Sequence, residues 1–210
     1  MGVSLVLSYP IPENKSPQQV LESLYKLMDI LNAKRCGTYK IDCETFTSAP
    51  HIQPAKVLQL FHDSEKPSTT FALIDHGNEY LMADSSNLDI IVQTYLNQLY
   101  PCKKSLKIEC TGIKFELSEA DFIIRIGQVL HNSSILRSII IEMDYRPCLV
   151  PTNCWDLLSQ VAQNFLPPSQ IPPPPACVPF RPIDGIKQYQ QTFNAMMPSC
   201  SATKSTRHDR

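Results

Sequence analysis

Glycine is scarce in this sequence, six residues in 210, and closely spaced cysteine pairs are missing altogether. Phosphate-binding loops use glycine so that backbone N–H groups can approach the ligand. Neither that loop, nor a Gly-x-Ser-x-Gly elbow, nor a His-Glu-x-x-His helix is present. The eight cysteines (36, 43, 102, 110, 148, 154, 177 and 200) are scattered without a Cys-x-x-Cys, and the five histidines (51, 62, 76, 131 and 208) do not cluster with them. Structural zinc usually needs such close ligand pairs. Neither a metal site nor a cofactor is therefore expected, and the thiols read as reduced, mostly buried small hydrophobes.

Charge of one sign is lacking too. Nineteen Lys and Arg against 20 Asp and Glu leave a net charge of -1, so there is no global field to hold nucleic acid or an anionic membrane. A protein partner is the default. No apolar run approaches the roughly 18 residues of a membrane helix. The start, Met1 to Leu7, has no basic region and is followed by Pro10 and Pro12, which suits a first strand better than a signal peptide. The chain is expected to be soluble and not secreted.

What is present is a well-punctuated mixture of helices and strands. Ser16, Pro17 and Gln19 form a helix start with a capping box. Val20, Leu24, Leu27, Met28 and Leu31 then recur at helical spacing, predicting a helix over 17–33. From Thr38 the period becomes two: Tyr39, Ile41 and Cys43 alternate with Lys40, Asp42 and Glu44. Strands follow at 56–62, 69–74 and 79–83, the last two joined by a turn through Asp75-His76-Gly77-Asn78. A second helix is expected to open at Ser86 and to stop at Pro101.

Three long strands come next, at about 104–117, 120–130 and 135–146. In the first, the apolar positions change parity from Leu106, Ile108 and Cys110 to Ile113, Phe115 and Leu117. A flip of faces can be absorbed by a bulge, and glycine permits one, so a bulge is predicted at Gly112. Long bulged strands with short turns suit a closed barrel or a strongly coiled sheet. Thr152 is read as the cap of a third helix, which Pro167-Pro168 end. The segment 167–182 holds eight of the 18 prolines and reads as a stiff connector to a last helix starting near Asp184. The expected architecture is α+β: one antiparallel β-barrel, or strongly coiled sheet, flanked by about four helices over 1–198, with a disordered basic tail over 199–210.

Two acid-x-acid strands, Asp42-x-Glu44 and Glu142-x-Asp144, are the sharpest chemical candidates. Alternate residues share a strand face, so both pairs turned into a barrel could hold a divalent cation for phosphoryl transfer, with Lys40, Lys114 and Arg125 gripping phosphate. Against this, Ile41 and Cys43, and Ile141, Met143 and Tyr145, claim the core face, which sends all four acids into water. Glu116 and Asp121 among the cations also fit a mixed solvated surface. Cys148 and Cys154 beside Trp155 read as packing, Lys103, Lys104 and Lys107 as a solvated strand edge, and Pro172 to Pro175 as a spacer, with an SH3-type or WW-type ligand as the alternative. No catalytic, cofactor-binding or metal residues are assigned.

Several stretches in order resemble one family. Met1-Gly2-Val3, Gly37-Thr38-Tyr39-Lys40-Ile41-Asp42-Cys43-Glu44-Thr45 and Phe71-Ala72-Leu73-Ile74 are similar to subunit 20 of the Mediator coactivator complex. So are Ile141 to Cys148, Cys154-Trp155-Asp156-Leu157-Leu158, and the late helix from Gln188-Tyr189 to Phe193. Arg146 stands where the family pattern suggests a small residue. The resemblance implies a non-catalytic β-barrel subunit of the head module, located in the nucleus. Its partners would be Mediator subunits 18 and 8 and other head-module subunits, with RNA polymerase II engaged indirectly and neither nucleic acid nor membrane bound directly. It also implies a barrel similar in shape to tunnel-type triphosphatases, which makes a metal-dependent phosphohydrolase the alternative; fold similarity by itself transfers no activity.

Overall fold

A computed structural model of the chain describes residues 2–75, 79–132, 134–175 and 177–196. Eight strands form one antiparallel sheet: β1 (Val3–Tyr9), β2 (Lys34–Thr47), β3 (Val57–Asp63), β4 (Thr69–Ile74), β5 (Glu79–Asp84), β6 (Ile108–Leu117), β7 (Phe122–His131) and β8 (Ile135–Tyr145). Four helices accompany them: α1 (Pro17–Ile30), α2 (Ser85–Ile90), α3 (Trp155–Ala162) and α4 (Pro182–Met196). The expected tail at 199–210, the turn residues 76–78 and Met197, the last apolar position expected of the final helix, lie outside the described residues.

The spatial order is β1-β8-β7-β6-β2-β3-β4-β5. Among the described residues no ladder joins β1 to β5, so the expected closed barrel is corrected to an open sheet. Strong coiling does hold, because of α4. Gln188 of α4 bonds β1, at Val6 and Ser4, while its neighbour Gln190 bonds Gln59 of β3. Strands β1 and β3 are five places apart in the order, which in a flat sheet is about 24 Å. A helix is only about 10–12 Å across. One helix can touch both strands only if the sheet curls around it.

The two faces carry different cores. On one, α1 and α3 pack Leu21, Leu24, Met28, Trp155 and Leu158 against Leu5, Phe115, Ile124, Ile126, Ile141 and Met143. On the other, Ile183, Ile186, Tyr189 and Phe193 of α4 pack against Tyr39, Ile41, Cys43, Phe61, Phe71, Cys110 and Ile140. A smaller core under α2 joins Leu88 and Val92 to Phe46, Leu60 and Ala72.

This two-sided burial explains the parity change in β6. Its register with both neighbours runs unbroken through Tyr39↔Gly112↔Gly127, so the predicted bulge at Gly112 does not occur. Ile108 and Cys110 face α4, whereas Ile113 and Phe115 face α1. Gly112 serves close approach instead: a Cβ there would lie 2.0 Å from the Ile126 carbonyl oxygen. The ladder irregularities fall at Arg35/Gly37 and Val129/Leu130.

Helix starts differ in detail. The capping box at Ser16 and Gln19 forms as expected. Helix α1 stops at Ile30, and Asn32 turns the chain at φ 57°. Helix α2 is capped by Asp84 rather than opening at Ser86, and it continues as a π-helical turn over Ile91–Tyr95. Thr152 lies in a 3-10 turn, Pro151–Asn153, and does not cap α3.

Candidate functional site

The four acids singled out in the sequence do not converge. Residues opposite one another in a ladder share a face. Asp42 pairs with Glu109, on the α1 face with Ile113 and Phe115. Glu142 pairs with Arg125, and Arg125 with Lys114, on the α4 face. The two acidic pairs therefore sit on opposite sides of the sheet, and among the described residues no group of three or more His, Cys, Asp or Glu is placed to hold a metal ion. Lys40 is likewise separated from Lys114 and Arg125, and pairs with Glu109 at 3.3 Å.

The expectation that all four acids face water fails at Glu142, which is only 5% exposed. Its Oε2 accepts 2.7 Å hydrogen bonds from both Arg125 Nη1 and the Tyr189 hydroxyl of α4. Burial, the largest single influence, opposes the Arg125 charge, but Glu142 together with Tyr189, Glu65 and Asp63 outweighs it and holds the guanidinium above its ordinary value. Burial first, and then Glu142, keeps the Tyr189 phenol far above the usual range, so it donates as a neutral group. Glu65, from the β3–β4 loop, ion-pairs with Arg125 and Lys114. The loop is pinned to β2 by a bond from Lys40 N to Ser64 Oγ and one from Ser64 N to Lys40 O, both 2.9 Å. Every cation offered as a phosphate grip on this face is thus occupied by the chain's own carboxylates.

A second charged group was not anticipated. His62 lies between two carboxylates, Nδ1 at 3.3 Å from Asp42 and Nε2 at 3.1 Å from Asp89 of α2, which also accepts from Thr70. Its pKa is pushed up to about 9, first by the bond to Asp42, against burial, and then by Asp89. Charged His62 ties α2 to the sheet. Sequence spacing could not have found it, because the link depends on the register Asp42↔His62 between separate strands.

The remaining candidates are structural. Cys148 and Cys154 both direct their thiols at the Val150 carbonyl, and burial pushes Cys154 up to about 12, which leaves it a poor nucleophile. Pro172 is tethered through its carbonyl to Trp155 Nε1 at 3.1 Å, and Phe180 N donates to Leu149 O, so the connector is held at these two points, with Pro173 to Pro175 exposed. Lys107 pairs with Glu44 and Glu109 at 3.4 Å, and because it leads into β6, an interior strand, the expected strand-edge role is corrected to that of a partly exposed ion-paired lysine.

The two edges of the sheet differ. Strand β1 is buried over Val3 to Leu7. The Gln188 amide takes the place of a neighbouring strand, accepting from Val6 N and donating to Ser4 O, each at 2.8 Å. Among the described residues strand β5 has no such cover: Tyr80, Leu81 and Met82 are 40%, 49% and 41% exposed. Beyond it, Ile91, Tyr95 and Leu99 recur at a spacing of four and are also exposed.

Residues 1–205 match the family model described as the TATA-binding related factor (TRF) of subunit 20 of the Mediator complex. The chain is 37% identical over 166 residues to Mediator of RNA polymerase II transcription subunit 20 of Aedes aegypti, an alignment covering 79% of this chain and 74% of that one. It is 32% identical to the Anopheles gambiae protein of that name and 35% identical to the human one, each alignment covering 92% of this chain and 93% of the relative.

Proposed function

Because the chain belongs to the subunit 20 family of the Mediator complex, we propose that it acts as a non-catalytic assembly subunit of the head module. Its partners there are subunits 18 and 8, and it works in the nucleus, where it connects to RNA polymerase II through the complex and not by direct contact. The observation that carries the non-catalytic reading is the packing of α4 into the curl of the sheet. A tunnel-type phosphohydrolase needs that space open, with carboxylates and cations converging on substrate. Here Tyr189 and Phe193 fill it, and Glu142 and Glu65 neutralise Arg125 and Lys114. Apolar surface is left uncovered on β5 and on the helical segment after it, as expected of a chain that buries more surface on assembly.

The test is co-expression of the full chain with subunits 18 and 8 from one organism, followed by size-exclusion chromatography in high salt. A stable 1:1:1 species supports the reading. Separate elution of this chain contradicts it, as would divalent-metal-dependent triphosphatase turnover that disappears with Glu142→Ala.

A further inference from the structure

We propose that the free edge of β5 docks an extended segment of a different polypeptide, apolar at its centre and basic at both ends, which adds to the sheet as a ninth strand. This deepens the assembly reading above and rests on it.

Strand β5 pairs only with β4, in a continuous six-residue register from Thr69↔Asp84 to Ile74↔Glu79. Alternate residues therefore turn their N–H and C=O groups outward. Sheet edges are normally blunted by proline, lysine, a bulge or a covering element. The sequence of β5, Glu-Tyr-Leu-Met-Ala-Asp, contains neither proline nor lysine, and its ladder has no bulge. This chain uses a side-chain amide to satisfy one edge, yet among the described residues nothing takes the place of a neighbouring strand at the other, whose centre is apolar. Unpaired strand amides flanked by apolar side chains are the chemistry of strand addition.

Charge selects a foreign segment over a second copy. Antiparallel self-pairing about a two-fold axis overlaps all six residues in one register only, and there Glu79 of each copy faces Asp84 of the other. Like charges directly opposite are destabilising. Glu79 is answered by Lys56 at 3.8 Å, and Asp84 has no cationic partner among the described residues. Asp84 stays ionised, since the Ser86 hydroxyl and backbone bonds lower its pKa. A strand with Lys or Arg at each end meets both acids. Arg181 and Lys187 lie over the Tyr80 ring on the α4 face, so the partner's apolar side chains belong on the opposite face, beside Leu81.

The experiment compares hydrogen exchange at amides 79–84 in the full chain alone and in the complex with subunits 18 and 8. The expected result is at least tenfold slowing of the outward-facing β5 amides in the complex, with Val6 unchanged. Leu81→Asp and Glu79→Lys, both at exposed positions, should each weaken the complex at least tenfold, whereas Ile30→Asp, at another exposed apolar site, should not. A complex that forms while these amides exchange at their free rates overturns the edge proposal and leaves the assembly reading standing. Concentration-dependent protection of β5 in the isolated chain would identify a second copy as the occupant and overturn it too. If no complex forms, the assembly reading fails, and the proposal falls with it.

Discussion

The Tyr189 hydroxyl, in the last helix, and Arg125, in the seventh strand, donate to the same oxygen of Glu142, each at 2.7 Å. Two consecutive strands and the last helix meet at one buried carboxylate. Removing one partner of a buried charge pair costs about 3–5 kcal/mol, because the other charge is left uncompensated. Glu142→Ala should cost this much in chemical denaturation. Tyr189→Phe, which deletes a hydrogen bond to a charged group, should cost about 1.5–3 kcal/mol. A surface-like effect of under 0.5 kcal/mol for Glu142→Ala would contradict the assignment of this cluster as a core element.

Gln188→Ala should uncover the outer edge of β1. The Val6 N–H and the Ser4 carbonyl would lose their partners in a half-buried site, at a cost of about 1–3 kcal/mol. Exchange at Val6 should accelerate while amides in the centre of β7 stay protected. Unchanged exchange at Val6 would show that Gln188 does not serve as the edge cover.

His62 gives stability a pH dependence. It holds its proton more tightly folded than unfolded, so its contribution is complete below about pH 6.5 and is lost as pH rises through about 9. With screening of this half-exposed group, the loss should be of order 1–2 kcal/mol. Denaturation midpoints measured from pH 6 to 10 should fall across that window. With His62→Asn the curve should flatten there, and a variant that keeps the full slope would remove His62 as its source.

Two glycines should respond in opposite ways to alanine. At Gly112 a Cβ meets backbone of β7 at 2.0 Å, so Gly112→Ala should cost several kcal/mol or prevent folding. At Gly185, within α4, the nearest contact is Phe180 at 3.9 Å, and Gly185→Ala should stabilise by about 0.5–1 kcal/mol. Thermal melts of the two variants side by side check this.

Local signals in the sequence were sufficient for most elements. The Ser16 capping box and the alternation at Tyr39, Ile41 and Cys43 depend on neighbours in the chain, and each formed, whereas α3 ends at Ala162, ahead of the prolines expected to stop it. What failed depended on how many faces were covered. Applying a one-sided alternation rule to β8 sent Glu142 into water and turned the parity change of β6 into a bulge. The run Ile139-Ile140-Ile141 was the available signal, since a continuous apolar run marks a strand buried on both sides. The curl of the open sheet, and the His62 link between Asp42 and Asp89, depend on register and on the path of α4, and no local pattern encodes either.

An assembly subunit whose sheet is filled by its own helix should travel with its partners. Affinity purification of the tagged full chain from nuclear extract, with high-salt washes and quantitative mass spectrometry, should recover subunits 18 and 8 in stoichiometric amounts with other head-module proteins. Recovery of the chain alone, or with substoichiometric partners that wash away with salt, would contradict the assembly role.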